Sequence, residues 1–438
     1  MFAYYVGIAV RNLRRSWGLT LLMVLAIGLG VAASVTTFAV FRAVSGDPVP
    51  DKSSQLFVPL FDMWGPRNGV ARKDPPDALD YFDAMNLMRD HRASRQSAIY
   101  PIQPALAPAD SNHHSKNIDG NAVYSEFFPM AEVPLRFGNG WSDNDDRQHA
   151  TVAVISSALN DELFAGKNSV GRTINIAGKD FRVVGVLDNW NPQPRFYDVH
   201  NSGGFTTQKV DILVPFQTAI TAGIKNTGNT NCNSAMNSAG FDGLIQSNCV
   251  WISYMVELRD ASAVQAFRGY LDDYVNLQNR AGRFHWKSDT RLMGLREWLE
   301  FEEVAPSDTH LSLLVAIGLL AVCIINTTGL LLAKFMRRRG EVGIRRALGA
   351  TKRSVYLQFV TEASLVGLSG GVFGLALTAL GVAGVHALLP KDIASLAHLD
   401  AGLLGLCLLT AVVATTLAGL FPAARASAVQ PALQLKMD

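Results

Sequence analysis

The chain has 438 residues, of which 49% are hydrophobic but only 17% charged. A soluble globular chain carries roughly 25% charge, so the composition points to membrane segments rather than an oversized core, and the length suffices for two or more domains. The net charge of +2 hides an asymmetry: basic residues gather in three short segments beside apolar runs and leave the rest net acidic, which excludes nucleic acid as a partner.

Residues 1–16 combine Phe2, Tyr5, Val6, Ala9 and Leu13 with Arg11, Arg14 and Arg15. This predicts an amphipathic helix lying in the cytoplasmic membrane interface. Residues 17–44 hold an uncharged run, Gly18 to Phe41, long enough to span a hydrocarbon core of about 30 Å. A cleaved signal peptide is the rival, but the run exceeds a typical signal core. Ala26, Gly30 and Ser34 place small residues at four-residue spacing, suited to close helix packing, although such spacing is common in any span.

Residues 45–308 are polar and rich in Pro, Gly, Asn and Asp. Following a basic segment and a span, they are expected outside the cytoplasm. Their number predicts two subdomains. Ala78 to His91 has helical spacing. Thr151 to Ser156 reads as a buried strand, and Ser156 or Ser157 caps a helix running to Phe164. Val170 to Ile176 and Lys179 to Leu187 form a hairpin around Ala177-Gly178. Val210 to Pro215 and Trp251 to Leu258 are strands, and Ala261 to Leu277 is helical. Cys232 and Cys249 flank an Asn- and Ser-rich loop, and an oxidising compartment predicts a disulfide between them. Cys323 and Cys407 lie in apolar runs, as small buried hydrophobes do. Glu297 to Glu303 is expected to continue into the next span as one extended helix.

Residues 309–334 are the second span. The loop 335–353 follows: Arg337, Arg338, Arg339, Arg345, Arg346, Lys352 and Arg353, with Lys334 just before it, stand against Glu341 alone. Short loops this basic stay in the cytoplasm. Val342, Ile344 and Leu348 are expected to share one face of a short helix, with Arg345 and Arg346 elsewhere and Gly349 as its stop. Composition alone leaves two readings, a topology signal or a docking helix. Residues 354–389 form the third span. Glu362 lies one or two turns inside it, either as an interfacial carboxylate or as a gating or proton-relay residue. Gly367, Gly371 and Gly374, with Gly370, supply another close-packing face. Residues 390–400 are a short outside loop and 401–421 the fourth span, which Pro422 ends. Residues 422–438 form a cytoplasmic tail with Arg425 and Lys436. The fold class is therefore a membrane α-helical protein of four transmembrane helices. A large α+β extracytoplasmic domain lies between helices 1 and 2, and both termini are cytoplasmic.

Catalytic motifs are missing from the sequence. Gly166-Lys167 is followed by Asn168, and Gly178-Lys179 by Asp180, so neither is a phosphate loop. LSGG at Leu368 to Gly371 lies mid-span and reads as helix packing. No GxSxG, HExxH or calcium-hand pattern occurs. His113-His114 reads as a solvated loop rather than a metal site. Asp143, Asp145 and Asp146 lack the spacing of a calcium hand and read as solvated acids.

The stretch EVGIRRALGATKRSVYLQFVTEASLVGLSGGVFGLALTALG, Glu341 to Gly381, closely resembles the FtsX-like permease module. So do INTTGLLLAKFMRRR before it and FPAARASAVQPALQLK in the tail. AVRNLRRSWGLTLLMVLAIGLGVAASV resembles the first span of the same proteins. VYSEFFPMAEVPLRFGNGWS and VAVISSALNDELFAGKNSVGRTINIAGKDFRVVGVL are similar to the periplasmic core domain of MacB-type permeases. The likeness is weak from Asn189 to Thr309. The resemblance implies a free-standing permease subunit of an ABC transporter in the bacterial inner membrane, not itself an enzyme. Glu341, Val342, Gly343, Ile344, Arg345, Arg346, Leu348, Gly349 and Ala350 would then form a coupling helix that meets a separate ATPase subunit, where ATP and Mg are bound. A second permease, the same or a related chain, is implied, as are a periplasmic adaptor, an outer-membrane duct and contact with membrane lipid. A signal transmitter acting on a periplasmic partner and a lipoprotein-releasing permease share this topology.

Overall fold

The computed structural model describes residues 2–44, 46–66, 73–107, 115–206, 208–304, 308–388 and 401–428. The His113-His114 pair, the 390–400 loop and the tail beyond 428 lie outside the described residues. The chain divides into two compact units, Met1–Ser45 with Pro306–Asp438, and Gly46–Ala305.

The inserted unit is built on one sheet. Its strands are β1 (Leu56–Phe61), β2 (Arg95–Ile102), β3 (Ala105–Leu106), β4 (Lys116–Asn117), β5 (Gly120–Val123), β6 (Leu135–Gly138), β7 (Val152–Ile155), β8 (Thr173–Ile176), β9 (Lys179–Leu187), β10 (Ile212–Pro215), β11 (Ser253–Glu257) and β12 (Thr290–Gly294). They run in the order β12-β1-β11-β2-β5-β10-β7-β9-β8-β3-β4, with β6 pairing on β9. β2 belongs to two neighbourhoods. Arg95 to Ile99 pair with β11, and Tyr100 to Ile102 pair with β5. One shared strand therefore joins the two halves of the sheet.

Local chemistry accounts for several elements. The β8–β9 hairpin turns at Ala177 and Gly178, both with positive φ (50° and 78°), as a primed two-residue turn requires. Ser156 Oγ accepts from the Leu159 amide at 3.0 Å and caps the following helix. Tyr100 meets Trp251 and Phe216 edge-on, with ring centroids 5.1 and 5.0 Å away, at the centre of the core. Asp146 is not a solvated acid. It is buried, and accepts from the Ser125 amide at 2.7 Å and from Trp141 Nε1 at 2.9 Å. Burial pushes its pKa up to about 6, despite those hydrogen bonds. The helix Leu295–Phe301 does not run on as an extended helix: Glu302 caps it and Glu303 turns the chain at φ 51°.

Cys232 and Cys249 are bonded, 17 residues apart. The disulfide and a bridge from Asn231 to Val250 hold a segment whose residues 231–240 are all exposed. Closing a loop of this length removes about 3 kcal/mol of chain entropy from the unfolded state. Replacing both cysteines by serine is expected to lower stability by about that amount. A melting curve of the variant that matches the wild type in oxidising buffer would count against this.

The other unit contains α1 (Phe2–Arg15), α2 (Trp17–Val44), α5 (Asp308–Met336), α6 (Arg339–Ala347), α7 (Lys352–Leu388) and α8 (Ala401–Ser427), while α3 (Tyr81–Asp90) and α4 (Ala261–Arg280) flank the sheet of the inserted unit. Among the described residues, four helices are long and apolar enough to cross a membrane: Trp17–Arg42, Leu311–Met336, Lys352–Gly384 and Ala401–Ser427. The small residues sit at their crossings. A Cβ added to Gly30 would lie 2.9 Å from Cys323 Sγ on α5. Ser34 Oγ donates to Gly30 O and to Ala316 O, each at 2.9 Å. Added Cβ atoms at Gly367 and Gly371 would meet Thr415 Oγ1 at 2.5 Å and Ala411 Cβ at 3.1 Å on α8, and one at Gly374 would meet Gly28 O at 3.3 Å on α2. Gly28 is as tight: an added Cβ there would lie 2.5 Å from Phe373 Cδ1 on α7. Pro422 does not end α8. The helix continues to Ser427 because Ala423 and Ala426 are buried, so tertiary packing outweighs the lost amide.

Candidate functional site

The site is the end of the bundle where α5 passes through α6 into α7. Arg338 precedes α6, Leu348 closes it, and Gly349 turns the chain at φ 101°, a conformation suited to glycine. Two residues along a helix are about 200° apart, so Val342 and Ile344 cannot share a face. Val342 points inward, into a cluster with Leu331, Phe335, Val355 and Phe359. Gly343 is buried beside it, and Ala350 packs on the same cluster. Ile344 and Leu348 point the other way, 61% and 83% exposed. They lie one turn apart on one face. Ala347 and Gly349 are also exposed; the sequence reading left Ala347 out.

Arg345 and Arg346, expected away from the apolar face, are held by their own chain. Arg345 Nη2 lies 2.9 Å from Glu341 Oε1, and its Nη1 donates to Gln358 Oε1 on α7 at 3.0 Å. Arg346 Nη1 donates to Ser427 O at 3.4 Å. Glu341 also pairs with Arg338 at 3.2 Å. Partial burial works to raise the Glu341 pKa. The hydrogen bond from Arg338 and the charges of Arg338 and Arg345 outweigh it and hold the carboxyl below its ordinary value.

Glu362 lies beneath this network and is fully buried. Lys334 Nζ, itself 2% exposed, is 2.8 Å from its Oε1, and Arg338 Nη1 is 3.1 Å from its Oε2. Asn12 Nδ2 of α1 donates to Oε2 at 3.4 Å. Lys334 Nζ also donates to Thr20 Oγ1 of α2 at 3.2 Å. A carboxylate this deep is tolerated only when paired and hydrogen-bonded. Glu362 is recognisable in the sequence as a carboxylate inside a span, but nothing there points to its partners, which come from α1, the end of α5 and the joint before α6.

In the inserted unit, a cleft of about 890 Å³ lies between α3 and residues around Tyr124, Asp146 and Gln217. Gln217 Nε2 donates to Tyr124 OH at 3.2 Å within it. Among the described residues, no group of three or more His, Cys, Asp or Glu is arranged to hold a metal ion.

Comparison with known proteins gives two matches to family models. The MacB-like periplasmic core domain matches residues 20–274 and the FtsX-like permease C-terminal domain residues 313–431. A macrolide export ATP-binding/permease protein MacB of Bdellovibrio bacteriovorus is 27% identical over 312 residues, covering 70% of this chain and 42% of that protein. The protein of the same name from Chlorobium luteolum is 23% identical over 441 residues, covering 96% of this chain and 58% of the other. The chain thus spans about half the length of the curated relatives it matches. A crystal structure of the periplasmic region of MacB from Actinobacillus actinomycetemcomitans is 16% identical and covers 59% of this chain and 97% of that one, with a TM-score of 0.36.

Proposed function

The chain belongs to the MacB-like periplasmic core domain family and carries an FtsX-like permease C-terminal domain, and from that premise we propose that it is the permease part of a MacB-type ABC transporter. ATP, with Mg, is bound and hydrolysed outside these 438 residues. The ATPase docks on α6, and its closure is passed through the membrane helices to the periplasmic domain, which expels or hands over a cargo. Both termini and α6 lie in the cytoplasm, since the basic residues flank the spans on that side. The carrying observation is the pair Ile344 and Leu348, large apolar side chains left exposed on a helix that is otherwise fastened to its own bundle. Such anchors are what a docking surface needs.

A second permease chain completes the assembly. Only 11% of the α5 span is buried, against 39% in each of the other three, which leaves α5 the helix with most surface for a second chain or for lipid. A periplasmic adaptor and an outer-membrane duct would carry the cargo onward.

The reading is tested by native purification of the tagged protein in mild detergent, with and without crosslinking, and identification of co-purifying chains. An ABC ATPase is expected, together with a second permease, either this chain or a related one. Recovery of a cell-wall hydrolase or sensor kinase in place of an adaptor would convert the reading to signal transmission. If no ATPase appears even after crosslinking, the docking role of α6 falls.

A further inference from the structure

The buried charges beside α6 fasten more than one loop. Glu362 on α7 receives Lys334 from the end of α5, Arg338 from the joint between α5 and α6, and Asn12 from α1. Lys334 carries the contact on to Thr20 of α2. A second path leaves Arg338 through Glu341 and Arg345 and returns to α7 at Gln358. Gln358 lies one helical turn before Glu362, so both contacts fall on one side of α7. The two paths close a ring: Glu362, Arg338, Glu341, Arg345, Gln358. Val342 sits beside that ring in the apolar cluster with Phe335 and Phe359.

We propose that Glu362 is the buried counter-ion that makes α6 rigid with α1, α5 and α7, and so the positioning residue through which a push on α6 reaches the membrane core. This rests on reading α6 as the ATPase-coupling helix. A load applied at Ile344 and Leu348 can move α6 alone only by pulling Arg338 off Glu362. That strips Glu362 Oε2 of its cation and leaves the buried carboxylate with Lys334 alone, a costly way for the assembly to yield. Moving the braced helices together keeps every pair intact. Small displacements are transmitted because such packed, paired elements have discrete arrangements rather than continuous give. The geometry is that of a fixed counter-ion, each carboxylate oxygen facing a cation, and not of a gate or a proton relay.

Amide hydrogen exchange across residues 339–347 tests the brace on the full chain in lipid nanodiscs, with no ATPase present. Glu362→Gln is expected to speed exchange in α6 at least ten-fold. Glu362→Asp, which keeps the charge between Lys334 and Arg338, is expected to keep more of the protection than Glu362→Gln. Exchange within two-fold of wild type in Glu362→Gln, or exchange in Glu362→Asp as fast as in Glu362→Gln, would overturn the proposal. Should Glu362→Gln fail to fold, Arg338→Lys is read instead. It keeps the charge but loses the forked contact, and unchanged α6 exchange in that variant overturns the proposal equally. With the co-purifying ATPase bound, a folded Glu362→Gln chain is expected to retain the complex but lose at least ten-fold in stimulated ATP turnover, and unaltered turnover would sink the transmitting role. The two readings fail separately: absence of an ATPase removes the coupling reading while exchange still reports the brace, and an ATPase recovered with unchanged exchange removes the brace alone.

Discussion

Arg283→Ala is expected to destabilise the inserted domain by about 3–5 kcal/mol, the range for removing one partner of a buried ion pair. Asp80 and Asp83 are 1% and 0% exposed, and Arg283 is the cation that joins them. Its Nη2 lies 2.7 Å from Asp80 Oδ2 and 2.8 Å from Asp83 Oδ2, and its Nη1 pairs with Asp83 Oδ1. The guanidinium also stacks over the Phe82 ring, 4.4 Å from its centroid. Tyr274 OH on α4 donates to Asp83 Oδ1 at 2.5 Å, and Asp80 caps α3 by accepting from the Asp83 amide at 2.7 Å. Deleting the arginine therefore leaves two adjacent buried carboxylates without a counter-charge and loosens α3, α4 and the segment after α4 together.

The same cluster fixes the pH dependence. Burial, and then the charge of Asp83, push the Asp80 pKa up, while Arg283 pulls it down. A folded-state pKa above the unfolded value of about 3.9 means that the group favours folding most below that unfolded value. The contribution is lost as pH rises through the folded value. Without Arg283 the rise is larger, so the deficit of Arg283→Ala should be greater at pH 8 than at pH 5. Melting temperatures of the full chain at the two values check this, and an equal deficit at both would contradict the linkage. Arg283→Lys should recover only part of the loss, because an ammonium cannot reproduce the forked contact.

What the sequence revealed, and what it hid, follows the reach of the interactions. The four spans are runs of local apolarity and need no partner to be recognised. The Ala177-Gly178 turn, the Ser156 cap and the pairing of Cys232 with Cys249 are short-range or compartment-driven in the same way. The Arg283 cluster joins residues about 200 positions apart, and Glu362 reaches back about 350 to Asn12. No periodicity announces such pairs. Burial misled in a different manner at Asp146, where an acid in an acidic run caps nothing visible in sequence yet holds Ser125 and Trp141. Val342 and Ile344 are a case where local geometry alone excludes the expected shared face. Residues 342 and 344 differ by two positions, and helical geometry alone sets them on opposite faces. Only their tertiary setting decides which faces in: the apolar ends of α5 and α7 claim Val342.

That reversal shapes the second large effect. Ile344→Glu combined with Leu348→Glu is expected to abolish recovery of the ATPase. Each hot-spot anchor contributes about 2 kcal/mol or more, so the pair weakens binding by roughly a thousand-fold. Both side chains are exposed, and surface changes away from special features alter stability by about 0.5 kcal/mol or less. The thermal melt and the α6 exchange of this variant should therefore match wild type. Arg345→Glu with Arg346→Glu makes the contrast. Those side chains hold Glu341, Gln358 and the Ser427 carbonyl, so reversing their charge should also cost coupling, but with faster exchange in α6. Affinity of the co-purifying ATPase for detergent-solubilised chain, read beside exchange, separates the two causes. Full ATPase recovery with Ile344→Glu and Leu348→Glu would show that the exposed face is not the docking surface. If the arginine variant alone lost the partner while its α6 stayed protected, the contact would run through the guanidinium groups, which would then have to leave their present acceptors on binding.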